Sequence, residues 1–233
     1  RTAPGIYARI ARQVEARHHL RAVASFRWFP VIGVARLAAR ERLTLLRDPR
    51  VVSVTPNGTL RATLSRSLPL IRQPEVAARG YAGTGTSVAI IDTGISNPGG
   101  VFGTCTLVGD PGCAVVAYYT FTGTPDEVDH GTNVAGIVHG VAPGAGIVHL
   151  NVFSGGSTTT LTVLRAINFA ISAQATYRIR AMNLSLGAPR SYNASCPYSA
   201  YASAFASARA TGILPIVAAG NDATVYGTYH DGV

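Results

Sequence analysis

The chain has 233 residues, 47% of them apolar, and a formal net charge of +9. That length suits a small domain plus much of a larger one, and the apolar share is enough to bury a core. No run approaches the roughly 18 apolar residues that a membrane-spanning helix needs, which argues against a membrane protein.

The charge is unevenly spread. All twenty basic residues are Arg, with no Lys. Residues 1–80 hold fifteen Arg against four acids; residues 81–233 hold five Arg against seven. Two units of different character are expected. The Arg residues are scattered and lack an aromatic stacking pattern, so a nucleic-acid partner is not expected. Either they are solvated faces of a helical unit, or the basic unit docks on the acidic one.

In chain order, residues 5–24 read as a helix, with Ile6, Ile10 and Val14 four apart. Residues 26–37 read as extended, bent at Pro30 and Gly33. Residues 38–47 form a short helix that Asp48-Pro49 stops. Residues 51–54 read as a strand, and Pro56-Asn57-Gly58 as a turn. This makes a small α+β unit, residues 1–64, of a size that often needs a partner surface. Residues 65–80 form a connector with Pro69 and Pro74.

From Tyr81 the rhythm changes. Apolar runs at 88–91, 115–121, 147–152, 181–185 and 213–217 alternate with helical stretches at 130–139, 158–175 and 198–211. Strands followed by helices imply parallel pairing with helical crossovers. Catalytic groups then belong at the carboxyl ends of the strands.

Four motifs carry chemistry. The strand at 88–91 runs into Asp92-Thr93-Gly94, and a carboxylate at the tip of a buried strand needs a partner. An Asp there is also an ordinary turn former. The aspartic-protease reading of Asp-Thr-Gly needs a second such carboxylate, and the chain has one. His130-Gly131-Thr132-Asn133 opens a helix whose apolar face is Val134, Ile137, Val138 and Val141. A lone His at a helix end is more often a cap or surface residue; His139 and His149 are assigned that role. Ser185-Leu186-Gly187 ends a strand and offers a backbone edge to an extended peptide. Ala218-Ala219-Gly220-Asn221 ends another, where Asn221 is either a turn residue or an amide donor for an oxyanion. Gly83-Thr84-Gly85 precedes its strand rather than following it, which argues against dinucleotide binding.

Taken together, Asp92-Thr93-Gly94, His130-Gly131-Thr132, Ser185-Leu186-Gly187 and Ala219-Gly220-Asn221, in that order, resemble the subtilisin-like (subtilase) family of serine endopeptidases. Residues 26–60 resemble its propeptide, with that unit's first strand missing before Arg1. The resemblance implies an α/β fold: a subtilisin-like parallel sheet with helices on both faces, incomplete, preceded by a small α+β propeptide domain. Residues 81–233 would be the peptidase domain, truncated at the carboxyl end. Asp92 and His130 would be catalytic and Asn221 the oxyanion donor. Ser185, Leu186 and Gly187 would hold one edge of the substrate, and Ser154, Gly155 and Gly156 the other. Asn133 stands where the family commonly has a second His. Its nucleophile motif Gly-Thr-Ser-Met-Ala is absent, so the fragment is expected to be inactive.

The expected partners are a peptide or protein substrate and the chain's own propeptide as inhibitor, on a monomer without membrane or nucleic acid. No cofactor is expected; structural calcium is frequent in the family, but no ligand set is identifiable. Cys105 and Cys113 bracket a short loop that a disulfide would close, worth roughly 2–3 kcal/mol. Cys196 is left over. Secretion or a periplasmic location is expected. The competing reading is an inactive, protease-like peptide-binding protein.

Overall fold

The computed structural model describes residues 6–57, 59–62, 72–123, 129–187 and 199–220. The amino-terminal helix α1, Ile6–His18, is shorter than the 5–24 expected. His19 takes a left-handed φ of 50° and the Leu20 amide donates back to the Glu15 carbonyl. That closes the helix and turns the chain into strand β1, Ala22–Ser25. Strand β2, Ile32–Val34, pairs with β1 antiparallel. Residues 27–30 are bends instead of strand. Helix α2, Ala39–Leu45, follows, its start held by Glu41 Oε2, which accepts from the Ala38 amide at 2.6 Å. Residues 51–54, expected as a strand, belong to none of the described sheets. Strand β3, Thr59–Ala62, is followed by the short helix α3, Gln73–Ala78.

The larger region begins with β4, Ser87–Asp92. Then come β5, Val115–Thr120, helix α4, Asp129–Val141, and β6, Gly146–Asn151. Two residues of β7, Thr158–Thr159, lead into α5, Thr160–Ser172. Thr159 caps α5, its Oγ1 accepting from the Thr162 amide at 3.2 Å. The rest is α6, Gln174–Tyr177, β8, Ile179–Leu184, β9, Leu186–Gly187, α7, Ala200–Ala210, and β10, Leu214–Val217.

Five of these strands form a parallel sheet in the order β10-β8-β4-β6-β5. Side chains alternate across it. Ala89 and Ile91 of β4, with Val148 and Leu150 of β6, enter the cluster that Val163, Ile167 and Ala204 of α5 and α7 complete. Ile90 and Ile147 enter the opposite cluster, against Val134 and Ala135 of α4. The architecture is the expected α/β sheet with helices on both faces.

The amino-terminal region leans on α5. Phe26 and Phe29 stack at 4.6 Å between ring centroids and are buried in the α5–α7 cluster. Trp28 Nε1 donates to Ser172 Oγ at 2.6 Å, and Arg165 donates to the Val23 carbonyl at 3.0 Å. Asn57 Oδ1 accepts from the Leu161 amide at 2.7 Å, satisfying a donor in the first turn of α5.

Candidate active site

β4 is central and buried on both faces, so its last residue, Asp92, ends up fully buried at the carboxyl edge of the sheet. A carboxylate there is tolerable only with donors aimed at it. Asp92 Oδ1 has two: the Thr93 amide at 2.7 Å and His130 Nδ1 at 2.6 Å. A carboxylate only accepts, so Nδ1 carries the proton of this bond, and in the neutral ring that leaves the basic lone pair on Nε2. Asp92 Oδ2 is buried and has no partner among the described residues.

His130 reaches Asp92 because α4 starts hard against the end of β4, and Gly131 permits that approach. A Cβ on Gly131 would collide with the Gly94 carbonyl oxygen and lie 2.6 Å from that of Thr93. The Gly131 amide donates to Thr93 Oγ1 at 2.8 Å. Thr132 Oγ1 accepts from the Ser96 amide at 2.9 Å, tying down the loop after Gly94. Each residue of His130-Gly131-Thr132 thus has a separate physical task. Asn133 is exposed.

Two backbone edges lie beyond the carboxyl ends of the sheet, and β3 fills the gap between them. Thr59 and Leu60 pair with Thr159 and Thr158; Arg61 and Ala62 pair with Gly187 and Leu186, all antiparallel. Leu186 and Gly187 therefore sit on a ladder. Ser185 lies just before it, its Oγ accepting from Asn183 Nδ2 at 2.9 Å. On the other side the ladder is made by Thr158–Thr159. Ser154, Gly155 and Gly156 form the exposed turn ahead of it, closed by the Ser154–Ser157 bridge. Nothing local in Thr158-Thr159 marks them as an edge; the signal is tertiary. Asn221 and Cys196 lie outside the described residues.

Gly85-Thr86-Ser87-Val88-Ala89 spells the shorter pattern Gly-Thr-Ser-x-Ala. The fold decides against Ser87 as nucleophile. It opens β4, paired with Gly146 and Ile179, at the amino edge of the sheet. Five strand residues, roughly 16 Å, separate it from Asp92.

His149 is a correction. Assigned to the surface with His139, it is fully buried in mid-β6, its Nε2 2.6 Å from the Thr93 carbonyl oxygen. Burial pushes its pKa down, while the Thr93 carbonyl and Asp92 pull the other way. His139 is partly buried, its ring edge-on to Phe102 at 6.1 Å. Cys105 and Cys113 form a disulfide with Cα atoms 4.7 Å apart. Among the described residues no cluster of His, Cys, Asp or Glu is arranged to hold a metal, and no helix is long and apolar enough to cross a membrane.

A sheet of this topology is an α/β scaffold, and its Asp–His pair lies at the carboxyl edge, where such folds place ligand and reactive groups. The family model described as the subtilase family matches residues 83–231. The chain belongs to the subtilase family. It is 36% identical over 149 residues to "Alkaline protease 1" of Emericella nidulans, a match covering 60% of this chain and 33% of the relative. It is 28% identical over 193 residues to "Thermostable alkaline protease" of Halalkalibacterium halodurans, covering 76% and 49%. Against "Subtilisin DY" of Bacillus licheniformis it is 32% identical over 169 residues, covering 68% and 56%. The chain thus spans between a third and rather more than half of the relatives it matches.

Proposed function

We propose that this chain belongs to a serine endopeptidase of the subtilisin type. The carrying observation is the buried Asp92–His130 pair, 2.6 Å apart, at the carboxyl edge of the sheet. A serine hydroxyl supplied by sequence outside these 233 residues attacks the peptide carbonyl. His130 Nε2 takes the hydroxyl proton and returns it to the leaving amine, help worth roughly 10²–10⁴-fold. Asp92 holds the ring in the Nδ1–H tautomer and stabilises the imidazolium. Asn221 donates to the oxyanion. The peptide lies as a strand between Leu186–Gly187 and Thr158–Thr159.

Residues 59–62 occupy that same ladder, which supports the amino-terminal unit as an inhibitor that blocks the cleft with its own backbone. Its Arg-rich character against the acidic remainder favours the same docking. The disulfide fits export to an oxidising compartment.

Fluorophosphonate labelling tests the reading. The 233-residue chain takes no label and cuts no peptide. A longer protein, continued through the next Gly-Thr-Ser-x-Ala of its gene, does both and loses both on His130→Ala. If that serine is replaced in the gene, the longer protein binds peptides without cutting them, the second reading. His130-dependent hydrolysis by the 233 residues alone would overturn the nucleophile assignment.

A further inference from the structure

Beyond the Asp–His pair, β6 places a second histidine behind it. Residue register puts it there. Asp92 pairs with Asn151 and Ile90 with His149, so Ile90, Asp92, Ile147 and His149 share the face that α4 covers. His149 is fully buried, stacked on Tyr118 of β5 at 6.0 Å between centroids. A methylene-lined hydrophobe would fill such a position at no polar cost. His149 instead leaves Nδ1 buried without a partner among the described residues and spends Nε2 on one backbone oxygen, that of Thr93. A carbonyl only accepts, so Nε2 carries a proton, and burial, which pushes the pKa of the ring down, favours the neutral form.

Thr93 is the hinge point between the two members of the pair. Its amide donates to Asp92 Oδ1, its hydroxyl accepts from the Gly131 amide beside His130, and its carbonyl oxygen lies where a Cβ on Gly131 would strike it. Two of its three polar groups are thus tied to the pair, and the third is tied to His149. We propose that His149 is a positioning residue: by donating Nε2–H to the Thr93 carbonyl, it fixes the peptide unit against which β4 and the head of α4 meet, and so sets the Asp92–His130 geometry. Asp92 and Tyr118 are the ionisable groups that bear on it. The catalytic consequence rests on the peptidase reading; the geometric claim does not.

The test is nuclear magnetic resonance on the 233-residue chain with labelled histidine. In the unaltered chain His149 is the Nε2–H tautomer across neutral pH, and the low-field proton shared by His130 and Asp92 is visible. His149→Phe, which stacks but cannot donate, abolishes that low-field proton and moves the His130 apparent pKa by about one unit, tenfold in proton affinity. His149→Gln, whose amide reaches the place of Nε2, keeps both near the unaltered values. A purely structural role predicts that Phe and Gln behave alike. A folded His149→Phe chain with the proton and pKa unchanged overturns the proposal. So does an unaltered chain in which the His149 ring carries its proton on Nδ1 with Nε2 bare, a result that stands even if no variant folds. In the longer protein, His149→Phe lowers kcat with KM unchanged. Absence of hydrolysis there with these spectra as described sinks the peptidase reading alone.

Discussion

The region of residues 6–57 and the region of residues 72–220 are stabilised in different ways. The larger one holds its own core: β4, β6 and β8 pair over most of their length, and both faces of the sheet are covered by helices. The smaller one has a two-stranded sheet, and its largest buried side chains, Phe26 and Phe29, lie in the larger region's cluster. Leu43, Leu46 and Val52 remain exposed. A two-stranded sheet is marginal in water, so the smaller region depends on the surface of α5 for stability.

The largest expected effect lies in the larger region. In the longer protein, Asp92→Asn removes the carboxylate that fixes the His130 tautomer, and kcat falls by roughly 10⁴-fold in peptide hydrolysis. Retained activity would show that the buried pair is structural.

Phe29→Ala breaks the comparison itself. Emptying a fully buried aromatic site costs about 3–5 kcal/mol, and Phe29 sits where the two regions meet. Limited proteolysis then digests residues 6–57 while residues 72–220 stay protected. Equal loss of protection in both regions would mean that they form one cooperative unit. Gly131→Ala acts inside the larger region. Its Cβ strikes carbonyl oxygens that cannot swing away, so denaturant unfolding shows a loss of about 1–3 kcal/mol.

The smallest effect depends on pH. Asp48 is buried and takes a bidentate Arg50 guanidinium at 2.7 and 2.9 Å, with His18 at 2.8 Å. These contacts, Arg50 foremost, hold its pKa well below the usual carboxylate range. A folded-state pKa below the unfolded value gives stability that is complete above about pH 4 and drains away as pH falls further. Thermal melting of the smaller region should therefore weaken in acid, and Asp48→Asn should be the weaker form at neutral pH. The two curves should converge at low pH; parallel curves would remove Asp48 as the cause.

Much of the larger region is legible in the sequence alone. Its strands alternate with helices at fixed rhythm, and Asp92-Thr93-Gly94 and His130-Gly131-Thr132 are local patterns tied to local tasks. The smaller region was read less well. The spacing of Ile6, Ile10 and Val14 predicts a helix over residues 5–24, but α1 ends at His18 because the left-handed His19 turns the chain away. The β-rich residues 51–54 read as a strand, but a strand exists only where a partner edge meets it, and no local pattern reports that.

The sequence by itself determined the order Asp92 then His130, the parallel α/β architecture and the glycine that lets a helix start against a strand end. Each follows from periodicity or from one residue's local chemistry. Only the tertiary structure decided that residues 59–62 lie between Thr158–Thr159 and Leu186–Gly187, that Ser87 stands at the wrong edge of the sheet, and that His149 is buried against the Thr93 carbonyl. Those facts depend on register between segments far apart in the chain. Register is set by how whole faces pack, and no short stretch of sequence carries that information.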